Sequence, residues 1–357
     1  MRAEAPSEPV RAGEMRRGRT PTLIGLAAGA LVATAALFIW GPARAVVDRF
    51  TTSWVPPQAS GLALNEERER AQWQALGEQL SGRLVWSSNR SGNHELYLVR
   101  LPAGKLEQLT DHPNVDFGAR FSPDGTRLVF MRSRREWVSF RETNAWDVHV
   151  MDLDSGASRR VARRGYHPTW SASERIVFQR DKQVIELDLA AETERVLFDT
   201  TASAEGRDLG DPELHPDGNQ LAMVLARFGA IVTPTDGGEF LRLTPGHVCQ
   251  TTWVPGTSDL LWMEAEGNGG TRVMRGSADG SRSDVFMDLP GDRSHEYFPK
   301  LSSDGSWMVW AAAAEGHEHD RADYEIYAWR VGDSWESARR LTFFSGNDQW
   351  PDIFLDG

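Results

Sequence analysis

Apolar residues fall into two regimes along this chain. Residues 23–40 form one unbroken apolar run, LIGLAAGALVATAALFIW, whereas from Gly82 onward apolar and polar positions alternate in short stretches such as WDVHVMDL (146–153), VIELDL (184–189) and YEIYAWRV (324–331). A period of two is what a strand shows when the two faces of its sheet meet different surroundings. These stretches belong to a larger repeat: an apolar strand, a tight Asp-Gly turn and a second apolar strand. It is seen in ARFSPDGTRLVF (119–130), PELHPDGNQLAMV (212–224) and PKLSSDGSWMVWA (299–311), with degenerate copies at 168–178 and 251–263. The starts lie about 46 residues apart, the spacing of four-stranded propeller blades. Asp154-Ser155-Gly156, Asp236-Gly237-Gly238 and Asp279-Gly280 punctuate the outer strands, because Asp and Gly tolerate the positive φ of tight hairpins.

The two ends of the repeat region complete each other. Residues 351–357 (PDIFLDG) read as an inner strand and its turn, while residues 82–101 begin with a second strand that lacks a first. Joined, they form one blade, and a ring closed in this way removes two open sheet edges. The expected fold is all-β: a six-bladed β-propeller with an N-terminal transmembrane helix, its ring closed by the C-terminal strand joining the first blade. Expected blades are 82–110 with 351–357, then 118–163, 167–200, 211–244, 250–288 and 298–343.

The Pro-Asp-Gly repeats, the run from Ser88 to Tyr97 (SNRSGNHELY) and the blade ends Leu109-Thr110, Leu243-Thr244 and Leu341-Thr342 resemble the TolB-like propeller family over residues 82–357. The resemblance implies the fold and constrains function less, since related propellers serve as binding platforms, as gating domains of peptidases and occasionally as enzymes. In that family an α/β domain precedes the ring and the protein is soluble in the periplasm; residues 50–81 are too few to supply such a domain. No Gly-x-Ser-x-Gly elbow follows the ring, which excludes a complete prolyl-peptidase-type enzyme.

The apolar run is long enough, at about 27 Å as a helix, to cross a bilayer's hydrocarbon core. Arg11, Arg16, Arg17 and Arg19 precede it and only Arg44 and Arg49 follow closely, so the positive-inside rule puts the N-terminus in the cytoplasm. Ala43-Arg44-Ala45 has the form of a cleavage site, and a cleaved signal peptide is the competing reading; the length of the apolar core favours an anchor. The expected organisation is a basic cytoplasmic tail (1–20), a transmembrane helix (21–41), a spacer (42–81) with a short helix from Glu66 capped by Asn65, and the propeller (82–357).

Charge supports that orientation. Of the net −12, residues 1–50 contribute +3, leaving an acidic body that argues against nucleic acid, where affinity rests on Lys and Arg. Cys249 is the only cysteine, so no intramolecular disulfide forms, and it reads as a small buried residue at a strand start rather than a nucleophile beside His247.

In a propeller whose first strand is innermost, the loops joining second and third strands share a face with the blade connections. The long inserts there are residues 132–144 and 314–322. Asp116, Asp208, Asp211, Glu296 and Asp348 are read as lying on that face. Three of them, Asp116, Glu296 and Asp348, precede the aligned positions Ala119, Pro299 and Pro351 by three residues and are expected to converge near the channel mouth, with His295 beside them. Such a cluster suits a cation or a partner's Arg or Lys; the alternative is that each carboxylate takes local backbone amides. His317-Glu318-His319-Asp320 lacks the spacing of a helical zinc site and reads as a solvated loop. Trp137 and Phe140 are candidate anchors for a protein partner, or else pack against the neighbouring blade.

No triad, phosphate loop or metal set is present, so no catalytic residue and no cofactor is expected. The expected function is a non-enzymatic platform for an envelope protein or lipoprotein, held at the bacterial inner membrane with the propeller in the periplasm. The alternative is a hydrolase or lyase acting on a carbohydrate or other small substrate at the channel mouth.

Overall fold

The structure, a computed structural model, describes residues 62–267, 270–314, 318–320 and 322–357. The expected membrane segment at residues 21–41 lies outside them; among the described residues no helix is long and apolar enough to cross a membrane.

Helix α1 (Glu66–Gly77) starts where Asn65 accepts from the Arg68 amide at 3.0 Å, a side-chain N-cap. Strands β1 (Gly82–Ser88), β2 (Glu95–Leu101) and β3 (Lys105–Gln108) follow. The second blade is β4 (Asp116–Phe121), β5 (Arg127–Ser133), β6 (Trp146–Asp152) and β7 (Ser158–Ala162). The third is β8 (Tyr166–Ala172), β9 (Arg175–Arg180), β10 (Gln183–Asp188) and β11 (Thr193–Asp199). The fourth is β12 (Leu209–Leu214), β13 (Gln220–Leu225), β14 (Gly229–Pro234) and β15 (Leu241–Arg242). The fifth is β16 (Val248–Trp253), β17 (Asp259–Glu264), β18 (Arg272–Ser277) and β19 (Ser283–Met287). The sixth is β20 (His295–Leu301), β21 (Trp307–Ala313), β22 (Glu325–Arg330) and β23 (Arg339–Arg340). Last comes β24 (Asp348–Leu355), which pairs antiparallel with β1 from Asp348 opposite Ser88 to Leu355 opposite Gly82.

Among the described residues the sheets are six, each of four strands, and the first is ordered β24-β1-β2-β3. The ring is closed by the C-terminal strand, as the sequence predicts, although that strand starts at Asp348 rather than at residue 351. Inner strands of the other blades likewise begin a few residues earlier than expected.

The recurring motifs have local causes. In the Pro-Asp-Gly turn, Asp124 Oδ1 accepts from the Thr126 amide at 3.0 Å and Gly125 takes φ 71°. At the blade ends, Leu109 and Leu341 amides extend the outer ladder to Leu96 and Ile326 carbonyls, and the Thr110 and Thr342 hydroxyls accept the Leu96 and Ile326 amides, both at 2.9 Å. Trp86, Trp146, Trp262 and Trp310 are fully buried on strands. Helix α1 packs on the ring through Trp73, 6.2 Å from Trp86, and through Leu76.

Candidate functional site

Each inner strand carries one residue in the left-handed backbone region: Gly118 (φ 65°), His167 (49°), Asp211 (50°), Gln250 (58°), Phe298 (57°) and Trp350 (61°). Pairing with the second strand slips at that point in every blade. These bulges set all six residues around the central channel. Positive φ costs a non-glycine residue on the order of 1 kcal/mol or more, so the ring has to be held together side chain to neighbour.

It is held in sequence around the axis. Asp211 Oδ2 accepts from the Gln250 amide at 3.1 Å, and Gln250 Oε1 accepts from the Phe298 amide at 2.6 Å. The Phe298 ring stacks on Trp350 with centroids 3.8 Å apart, and Trp350 lies against Gly118, where an added Cβ would stand 3.9 Å from its ring. His167 Nδ1 is 2.6 Å from Asp211 Oδ1. So short an approach to a carboxylate places a proton on Nδ1, which makes the Asp211 amide, 3.2 Å from the same nitrogen, a minor contact. Burial is the largest influence on the Asp211 carboxyl and acts upward, but His167, the Gln250 amide and Lys300 outweigh it and hold the group below its ordinary value.

Two residues further along the same strands comes a charged belt. Lys300 Nζ donates to Glu213 Oε1 at 2.9 Å and to Thr252 Oγ1 at 2.8 Å; Arg120 donates to the Ala119 and Pro351 carbonyls; Asp352 accepts from the Phe121 amide at 2.8 Å. The space left between the strands is about 50 Å³.

Described residues of the two long inserts meet beside the channel. Asp320 accepts from the Ser139 hydroxyl at 2.6 Å and the Phe140 amide at 3.1 Å, Arg141 pairs with Glu318, and the Tyr166 hydroxyl donates to the Phe140 carbonyl at 2.7 Å. Phe140 is thereby set 4.8 Å from Trp350 and 5.4 Å from His167, while His319 sits 5.4 Å from both Phe140 and Phe298. Phe140 is thus a packing residue of the channel mouth, and Trp137, half-buried, packs against the same core.

The predicted carboxylates stand elsewhere than expected. Asp116, Glu296 and Asp348 do open or nearly open three inner strands, but all are fully buried within them rather than on blade connections, and each is taken by its own neighbours. Arg132 grips Asp116 through two contacts of 2.7 Å. Glu296 accepts from the Leu289 amide at 2.6 Å and the Thr271 hydroxyl at 3.2 Å, and burial pushes its pKa up to about 7. Asp348 shares Arg90 with Glu69 of α1. Asp211 also lies inside an inner strand, facing the channel, not on a connection. Asp208 is exposed and paired with Lys182, and His295 contacts the Ser294 hydroxyl at 3.2 Å. Among the described residues no group of His, Cys, Asp and Glu side chains is arranged to hold a metal ion, and His317 lies outside them.

Of the channel residues, only Asp211 is among those the sequence singles out. Their signal was the residue before proline at the aligned inner-strand position, His167-Pro168, Asp211-Pro212, Phe298-Pro299 and Trp350-Pro351.

Six four-stranded blades closed by strands from both ends of the repeat region define a six-bladed β-propeller. Its resemblance to TolB-like propellers holds in both sequence and fold. The chain is 30% identical over 152 residues to a protein TolB homolog of Chlorobium luteolum, a match covering 41% of this chain and 32% of the relative. It therefore spans about a third of the length of the curated relatives it matches. In fold it is similar to TolB from Acinetobacter baumannii (TM-score 0.57, 15% identity, 80% of this chain and 70% of that one). It is equally similar to a putative TolB from Agrobacterium tumefaciens (TM-score 0.57, 15% identity, 76% of this chain and 91% of that one). No family model matches the chain.

Proposed function

We propose that this chain is a non-enzymatic protein-binding propeller of the bacterial cell envelope, anchored in the inner membrane by residues 21–41 and displayed in the periplasm on the spacer at 42–81. The observation that carries this reading is the filled channel. Ligand sites for small molecules commonly enclose about 300–1,000 Å³, against about 50 Å³ here, and Phe140 and His319 cover the mouth. The carboxylates expected to act there serve internal partners instead. What the chain offers is surface, and the similarity to proteins named TolB homolog supports a platform role.

The surface proposed for the partner is the insert-bearing face. Arg134, Arg135, Arg141 and Glu142 line a recess there of about 650 Å³, with Trp137 in the same insert and Asp208 on the same face further round the ring. Photo-crosslinking residues placed at Arg135 and, on the opposite face, at Ser281 in the membrane-bound protein test it. The expected outcome is one envelope-protein adduct from position 135 and none from 281. Equal adducts from both positions, or turnover of a glycan or lactone panel by the purified protein, would overturn the reading.

A further inference from the structure

Arginines among the described residues are mostly committed: Arg90, Arg132, Arg272 and Arg275 each hold a carboxylate at 3.0 Å or closer. One recess gathers several that are not. Strand β23 is only two residues long and pairs with β22 at Tyr327 and Ala328 alone, so the Arg330 end of β22 has no outer strand beside it. Helix α1 walls the gap, and the space enclosed between them is a recess of about 430 Å³.

Four guanidinium-bearing residues line it: Arg68 from α1, Arg330, Arg339 and Arg340. Arg340 pairs with Glu325, but Arg68, Arg330 and Arg339 have no carboxylate partner among the described residues. Two of the four are also fixed in place. The Arg68 guanidinium lies 4.0 Å from the centre of the buried Phe343 ring and that of Arg340 lies 4.6 Å from it. Stacking of this kind orders the fork before any ligand arrives and lowers the entropy lost on binding. In a chain of net charge −12, a concave site with three guanidiniums that hold no carboxylate, one of them preordered on Phe343, keeps a positive excess and is an anion site in its chemistry.

We propose that this recess binds a phosphate-bearing ligand. Guanidinium forks match both carboxylate and phosphate oxygens, but a carboxylate has two acceptor atoms, too few to engage arginines reaching in from a helix, a strand end and a short outer strand. A tetrahedral phosphate offers oxygens in several directions. Asp333 and Glu336 also border the recess, and their charge disfavours an extended polyanion while leaving room for one phosphate group. The source is either a soluble phosphate or the headgroup of an anionic phospholipid. The inference is independent of the insert-bearing face and of any protein partner there.

The test is titration calorimetry on the detergent-solubilised full chain with three probes: inorganic phosphate, short-chain phosphatidylglycerol and short-chain phosphatidylcholine. The wild type is expected to bind phosphate, phosphatidylglycerol or both saturably, and to bind at least one of them more tightly than phosphatidylcholine. Arg68→Gln with Arg339→Gln, on the exposed side of the ring and outside its core, should weaken binding by about tenfold or more with an unchanged melting temperature. Arg159→Gln with Arg163→Gln, on another blade, should leave it intact. Binding of phosphate alone assigns a soluble ligand, and binding of phosphatidylglycerol alone assigns a lipid; either supports the site. No binding of any probe, or equal loss in both double variants, overturns it.

Discussion

Arg90 and Asp348, 258 positions apart in the chain, meet at 2.9 Å, and the same guanidinium reaches Glu69 of the N-terminal helix at 2.9 and 3.0 Å. Helix α1, the loop after β1 and the closing strand β24 are thus fastened by one buried cation between two buried carboxylates. The Coulomb attraction of Asp348 and Glu69 keeps Arg90 firmly charged against the burial that opposes it.

Removing that cation leaves two buried carboxylates uncompensated. Arg90→Ala is expected to destabilise the fold by about 3–5 kcal/mol, read as a lower urea midpoint. Glu69→Gln, which keeps an acceptor for the Phe343 amide now bound at 2.9 Å, should be milder. Equal midpoints for wild type and Arg90→Ala would show that the triad does not fasten the ring.

A chain truncated after Asn347 lacks β24 and so leaves β1 as an open inner edge. Loss of the cooperative unfolding transition is expected, with aggregation through the exposed strand. A sharp, wild-type-like melt would contradict the closure.

Glu296 gives stability an unusual slope with pH. Burial raises its folded pKa from 4.5 to about 7, so the native state holds this proton where the unfolded chain has released it. Its contribution is complete below pH 4.5 and disappears as pH rises through 7, a change of about 3 kcal/mol. Glu296→Gln should remove that slope, so that denaturation midpoints of variant and wild type diverge between pH 5 and 8, the variant being the more stable at the high end. Parallel profiles would refute the assignment.

His94 acts in the opposite direction. Fully buried against Phe117, with neither ring nitrogen hydrogen-bonded, it has a pKa lowered by burial from 6.5 to about 3. Stability from this site is full above pH 6.5 and is lost as pH falls towards 3, because the unfolded chain takes up the proton first. His94→Leu should flatten the acid limb of the stability curve; an unchanged limb would count against it.

The clasp over the mouth is a separate unit. Asp320→Ala removes the acceptor of the Phe140 amide and the Ser139 hydroxyl. Amide exchange at Phe140 should quicken by about tenfold or more, with the blade strands unaffected. Exchange equal to wild type would mean the insert is held by its rings alone.

The architecture was legible because strand periodicity, Asp-Gly turns and Leu-Thr blade ends are local devices whose hydrogen bonds lie within one blade. The closing strand was legible for a related reason: a second strand without a first at Gly82 demands one from elsewhere. Of the candidate site, Asp211 and the two inserts were legible and the carboxylate cluster was not. Spacing placed Asp116, Glu296 and Asp348 at equivalent starts, but each meets a different kind of partner, Arg132 on the next strand, the Leu289 amide just before its own strand and Arg90 258 positions away, which no repeat encodes. The inserts read from the sequence as long and aromatic, yet their contact through Asp320 and Ser139 spans 181 positions. A propeller hides such pairings, because it brings its first and last blades together only when the circle is complete.

That circularity bears on when the protein can acquire its structure. Strand β24 is translated after every other described strand, yet it is the innermost member of the blade that opens with β1. Five blades can assemble as the chain emerges where it folds, while the earliest strands must wait, unpaired on one edge, for residues 348–355 to arrive. Chaperone protection would therefore be needed longest at the beginning of the ring, not at its end.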